Sequence, residues 1–141
     1  ILTRISCPGV RPPPRARNDR HPCMYHRALY DILMESGHAI AELTREMQDE
    51  DELFASRLTL RAVEAHVLIM AQTLDNLPPA LHRRLLQVDW RGWDNVHVQL
   101  RRAVHPRREP VWYAVNALVP QILALLADLR RREPDLFRTG C

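Results

Sequence analysis

The chain predicts an all-α fold, an up-and-down bundle of four main helices plus one short helix. Three observations carry that expectation. Apolar residues recur at helical spacing through most of the chain beyond residue 24. No stretch shows the two-residue alternation of a half-buried strand. Pro78-Pro79, Pro106, Pro110 and the acidic run at 49–52 fall at the ends of periodic segments, where helices start and stop.

The first 23 residues stand apart. ILTRISCPGVRPPPRARNDRHPC holds five of the eleven prolines and no periodicity, so it reads as a disordered tail. Five arginines and one acid, Asp19, give it a net charge of +4. The remaining fifteen arginines face sixteen acids, so residues 24–141 carry −1. The pI of 9.1 therefore belongs to the tail and implies no nucleic-acid footprint over the whole body. All twenty basic residues are arginine. The first methionine is Met24, where periodicity begins, and the expectation is that Met24 is the native start and the tail is non-native. A chain begun at Met24 that failed to fold would contradict it. Residues 24–141 are then a single domain.

Cys7, Cys23 and Cys141 lie near the ends. A disulfide framework is not expected, and the body suits a reducing cytoplasm. His21, Cys23 and His26 match no familiar zinc spacing, so neither a metal nor another cofactor is expected. The most apolar run, Val111–Leu129, is interrupted by Asn116, Pro120, Gln121 and Asp128, which favours a bundle helix over a membrane span.

The first helix is expected over Tyr25–Gln48, with Leu29, Ile32, Leu33, Ile40, Leu43 and Met47 on its inner stripe. Asp49-Glu50-Asp51-Glu52 follows. Asp49 and Glu52 have the spacing of a capping box, and acids suit a helix N-terminus. The second helix is expected over Glu50–Asn76, with Phe54, Leu58, Ala62, Ala65, Ile69 and Leu74 facing inward. Leu77-Pro78-Pro79 ends it, because proline lacks an amide donor and restricts its predecessor. A short helix, Pro79–Leu86, comes next. A third main helix is expected over Trp93–Val104, closed by Pro106. Pro110 opens the last, which runs to Arg132 with Val111, Val115, Leu118, Ile122, Leu125, Leu126 and Leu129 as its core face and a kink at Pro120. Arg130-Arg131-Arg132 complements its C-terminal dipole.

One constellation joins an acid/base to cations: Arg101, Arg102 and His105. Arg101 and His105 are four apart and share a helix face. Histidine exchanges a proton near neutral pH, and arginine grips phosphate in a bidentate fork. Together they suit metal-independent RNA cleavage, where the 2′-OH loses a proton and the leaving oxygen gains one. Many surface helices carry Arg and His at this spacing, so the pattern alone is a weak signal and favours ordinary surface residues.

Residues 28–132 resemble the HepT-like family of HEPN domains, small helical proteins encoded beside minimal nucleotidyltransferases. Leu29-Tyr30-Asp31-Ile32-Leu33 resembles the family's opening LxDIL pattern. Leu77-Pro78-Pro79-Ala80-Leu81 resembles its LSPEL turn. Val88–Trp93 lies where the family has a Pro-Trp before its motif helix. Val111-Trp112 and Leu118-Val119-Pro120 resemble its closing helix. The family's motif is Arg, four residues, His, one residue, Tyr. With Trp93 on the family tryptophan, His105 falls on the motif histidine, while Leu100 takes the arginine position and Arg107 the tyrosine position. The loop after His105 is also about four residues shorter than the family's.

The resemblance implies a component of a toxin–antitoxin pair that acts as a cytoplasmic homodimer. One reading is a metal-independent endoribonuclease, with His105 as acid/base, Arg101 or Arg102 on the phosphate, and Arg107 and Arg108 as further RNA contacts. The other is a catalytically inactive dimerisation or partner-binding module for an adjacent nucleotidyltransferase. In the family that tyrosine is where the partner attaches AMP; with Arg107 in its place, such control does not operate here in the usual way.

Overall fold

Helix starts and stops follow local chemistry closely. The computed structural model describes residues 22–102 and 108–138, with side chains described from residue 25. Its elements are α1 (Pro22–Thr44), α2 (Glu50–Ala55), α3 (Arg57–Asp75), α4 (Pro79–His82), α5 (Trp90–Arg101), α6 (Arg108–Tyr113), a π-helical segment (Ala114–Leu118), α7 (Val119–Arg132) and a 3-10 turn (Pro134–Phe137). No strand occurs among the described residues. The all-α helical bundle expected from periodicity is therefore present.

α1 ends at Thr44, short of the expected Gln48. Thr44 Oγ1 donates to the Ile40 carbonyl at 2.8 Å, and Met47 N closes a turn on Thr44 O. A side chain that competes for helical carbonyls favours such an end. The Asp49 cap forms, with Glu52 N donating to Asp49 Oδ1 at 3.0 Å, and the Glu52 carboxylate reaches back to Gln48 N, one residue before the N-cap N–H that a full capping box uses.

The expected helix Glu50–Asn76 is broken. Ser56 leaves helical geometry at φ −95°, ψ 87°, so α2 and α3 are separate. A short polar residue tolerates that boundary. The break changes the helical phase. Val63, Val67, Met70, Ala71 and Leu74 face the core of α3. Of the inner stripe expected for one continuous helix, Leu74 is buried and Phe54 packs partly against the core, whereas Leu58 is 82% exposed and Ile69 41%. On α1 Ile32 also turns outward, and Tyr30 is buried instead.

α4 stops at His82, four residues before the expected Leu86, and a series of turns leads to α5. α5 begins at Trp90 rather than Trp93, because Asp89 caps it. The last helix starts at Arg108, two residues before Pro110. Pro120 produces more than a bend. It has no N–H to give the Asn116 carbonyl, and a regular turn would drive its ring into that carbonyl. The chain widens into the π segment instead, with Val119 N bonded to Ala114 O, and the Asn116 side-chain amide donates to Trp112 O at 3.0 Å. The core face read from the sequence survives: Val111, Val115, Leu118, Ile122, Leu126 and Leu129 are buried, with Leu125 partly so. Arg108–Arg132 is long and apolar enough to cross a bilayer by length and composition, and 39% of its most apolar stretch is buried in the bundle.

α7 crosses α1 closely at Gly37, where a Cβ would stand 2.5 Å from Leu123 Cδ2. Past Arg132 the chain folds back. Phe137 is 1% exposed, with its ring centroid 5.0 Å from that of Tyr30, over which the Arg130 guanidinium also lies. His26, 5% exposed, donates from Nδ1 to the Leu136 carbonyl at 3.1 Å, and Arg84 pairs with Glu133 at 2.9 Å. Burial, more than the nearby Arg84, holds the His26 pKa below its ordinary value, against the raising effect of the Leu136 bond.

Two outcomes follow from this end of the bundle. Phe137→Ala removes a fully buried ring and lowers unfolding free energy by ~3–5 kcal/mol in urea titrations. Because the folded state disfavours the His26 proton, the unfolded chain binds it first. His26 thus contributes its full stability above pH ~6.5 and loses it as pH falls through the lowered folded value. Melting temperature between pH 7.5 and 5 should therefore fall less in His26→Gln than in the parent chain.

Candidate functional site

The candidate site is the face of α5 that looks toward α6. Asp89 sets it in place. Its Oδ1 accepts from Gly92 N at 2.9 Å, its Oδ2 accepts from the Tyr113 hydroxyl at 2.6 Å, and its own N–H donates to Gln121 Oε1 at 3.0 Å. One residue thus joins the start of α5 to α6 and α7. Gly92 permits it: a Cβ there would meet Asp89 Oδ2 at 2.7 Å and Leu118 Cδ2 at 2.8 Å. The Tyr113 hydroxyl, then the Gly92 amide, pull the Asp89 carboxyl below the usual carboxylate range. The same bond raises the Tyr113 phenol.

Trp93, Val96 and Leu100 turn into the core from α5. Trp93 is 2% exposed, and its Nε1 has no hydrogen-bond partner among the described residues. Trp90 is half-buried, stacks on His82 at 4.4 Å and donates from Nε1 to Leu85 O. Trp112 is also half-buried. The three tryptophans therefore do separate jobs, and Trp93 alone is a full core residue.

The other face of α5 presents Asn95 and Gln99, four apart. With Glu109, Trp112, Tyr113 and Asn116 of the last helix and Glu50 of α2 they line a groove of about 700 Å³. Its polar lining is amides, a phenol and carboxylates. Arg102 lies three residues beyond Gln99 and so continues the same side of α5 by helical register.

Of the residues that the sequence singled out, Arg101 and Arg102 are exposed at the end of α5, without an ion pair among the described residues. His105 and Arg107 lie outside the described residues. Arg108 is drawn to the acidic start of α2: it pairs with Asp51 and, at 3.9 Å, with Glu50, and its guanidinium covers the Phe54 ring at 5.0 Å. Asp49-Glu50-Asp51-Glu52 thus serves twice, as a cap and as the anchor of Arg108. These ion pairs are exposed, so their worth lies in orientation more than in stability.

Sequence reasoning missed the groove. Its signal was the polar i, i+4 pair Asn95 and Gln99, and the matching 109, 112, 113 and 116 spacing on the facing helix. Polar residues at such spacing also describe any solvated helix face. Among the described residues, no three His, Cys, Asp or Glu side chains are grouped to hold a metal ion. Compared with protein-family models, curated proteins and solved structures, the chain matches none.

Tyr113→Phe leaves the Asp89 carboxylate with the Gly92 amide alone. Its pKa should rise toward the ordinary carboxylate value in an NMR titration, and Gln121 should loosen with it. An unchanged Asp89 titration would show that the Tyr113 bond is not what holds the carboxyl down.

Proposed function

We propose that the chain is a HEPN-like, HepT-like component of a toxin–antitoxin pair that works by binding rather than by cutting RNA. It acts as a cytoplasmic homodimer and receives an adjacent minimal nucleotidyltransferase in the groove between α5 and α6. The observation that supports this reading is the charge of that groove. Glu50 and Glu109 line it, and among the described residues no arginine does. Arg108, a cation that RNA contact requires, is committed to Asp51 and Glu50. A phosphodiester backbone is repelled by such a lining, whereas a protein segment with N–H donors or cations pairs with its carboxylates and amides. The half-buried Trp112 and exposed Tyr113 add the large, rigid contact area typical of interface anchors.

One observation favours the second reading, a metal-independent endoribonuclease. Arg102 continues the groove side of α5 by helical register and is exposed without an ion pair among the described residues, so it offers a phosphate grip there; in this reading His105 is the acid/base.

Two measurements separate the readings. The chain co-elutes with the nucleotidyltransferase encoded beside it, and Glu109→Arg weakens that complex by about ten-fold or more. Labelled RNA stays intact in the presence of a chelator at high protein concentration. RNA cleavage under those conditions that His105→Ala abolishes would replace the binding reading with the endoribonuclease. Cleavage that survives His105→Ala would reject His105 as its acid/base.

A further inference from the structure

A second cavity, of about 200 Å³, lies between α3, α4 and the start of α5, and shares no lining residue with the α5–α6 groove. Trp90 and Trp93 wall it, Ala71 and Leu74 form its apolar part, and Asp75 and Asp94 bring carboxylates from two different helices. Both carboxylates are exposed and neither has an ion pair or hydrogen bond among the described residues. Among the described residues no arginine lines the cavity, and His82 completes its lining. The walls are fixed in advance. Trp93 is fixed in the core, while Trp90 is pinned by its bond to Leu85 O and by the His82 ring against it.

We propose that this cavity is a binding site for a guanidinium group, the side-chain head of arginine. Four features converge on that chemistry. Two carboxylates from different helices, without an ion pair among the described residues, offer acceptors to a single cation. Trp93 is 2% exposed and Trp90 carries His82 on one face, so the half-buried Trp90 indole is the ring that a cation meets, attracted through its quadrupole. Guanidinium is planar, so it stacks on a flat aromatic wall while its N–H fork reaches carboxylates at the edge; an ammonium does not do both. A cavity of this size admits the head and its first methylenes but not a large ligand. The fixed walls lessen the ordering cost of binding.

The guanidinium has two sources on chemical grounds: an arginine of another molecule, or one of the chain's own. The cations of this chain are all arginine, and residues 1–21 carry five of them against one acid. Residues 1–21 precede α1 and are the chain's own candidate source of that group.

The test uses the full chain with Trp112→Phe, so that indole fluorescence reports on Trp90 and Trp93. Methylguanidinium should give a saturable change at a concentration at least about ten-fold lower than methylurea, its neutral counterpart of similar shape. Asp94→Asn should weaken binding several-fold, and Asp75→Asn with Asp94→Asn should abolish it while the helical circular dichroism stays unchanged. Equal responses to methylguanidinium and methylurea would overturn the proposal. So would unchanged affinity in the folded Asp94→Asn chain. Replacing Arg15, Arg17 and Arg20 with Gln then identifies the source. Tighter methylguanidinium binding in that variant means that the chain's own arginines compete for the cavity; unchanged binding means that the arginine comes from another molecule. The nucleotidyltransferase complex is measured in chains that keep Trp112, where the Asp75, Asp94 and arginine replacements leave the other groove's lining intact, so failure here leaves that reading standing.

Discussion

Pro120 has no amide hydrogen, and the chain's longest apolar run must pass through it. Much of the bundle's arrangement depends on how that gap is absorbed. A straight α-helix would lose a hydrogen bond and press the proline ring into the carbonyl of Asn116. The π segment Ala114–Leu118 accepts one extra residue per turn at that point. It keeps Val111 and Val115 on the buried side together with Ile122 and Leu129, so the core stays continuous across the irregularity. On the opposite side the same helix carries Tyr113 to Asp89 and offers Trp112 and Asn116 to the α5–α6 groove.

Asp89 is the counterpart of that device in α5. A surface N-cap is ordinarily worth about 1 kcal/mol and concerns one helix alone. Here the second carboxylate oxygen takes the Tyr113 hydroxyl and the backbone N–H takes Gln121. The start of α5 is therefore registered against both ends of the irregular segment. Gly92 is the residue that admits this geometry, because the carboxylate and Leu118 occupy the space of a Cβ. The groove and the smaller tryptophan cavity both inherit their shape from α5, on opposite sides of one helix. One is lined by amides and acids, and the other by indoles and acids. Both disfavour anions, which is why binding of cationic or N–H-rich partners is the common theme of the two proposals.

Local signals determined more of this architecture than long-range ones. The all-α class, the Asp49 cap on Glu52, the double-proline stop at Pro78-Pro79 and the core stripe of the last helix were legible directly. Each is a property of residues a few positions apart. The candidate site was legible only in part. Arg101 and Arg102 are exposed at the end of α5, while His105, to which their spacing related them, lies outside the described residues. Arg108 is not a free cation, because its partners Glu50 and Asp51 are more than fifty residues distant and belong to a run that already has a sufficient local explanation as a cap.

The sequence by itself determined where helices begin, which residues cap them and which stripe of the last helix is apolar, since hydrogen-bonding and burial preferences act over one or two turns. Tertiary structure decided the rest. Whether Leu58 and Ile69 or Val63 and Val67 face inward hung on a single break at Ser56, which rotates everything after it and carries only a weak local signature. Whether the C-terminal Phe137 joins the core depended on a pocket made by Tyr30 and its neighbours, more than a hundred residues away. Whether three tryptophans share one role or divide into a core residue, a cavity wall and a groove wall depended on which helix each one meets. Periodicity ranks residues by face, but only the packed neighbours say what that face encounters.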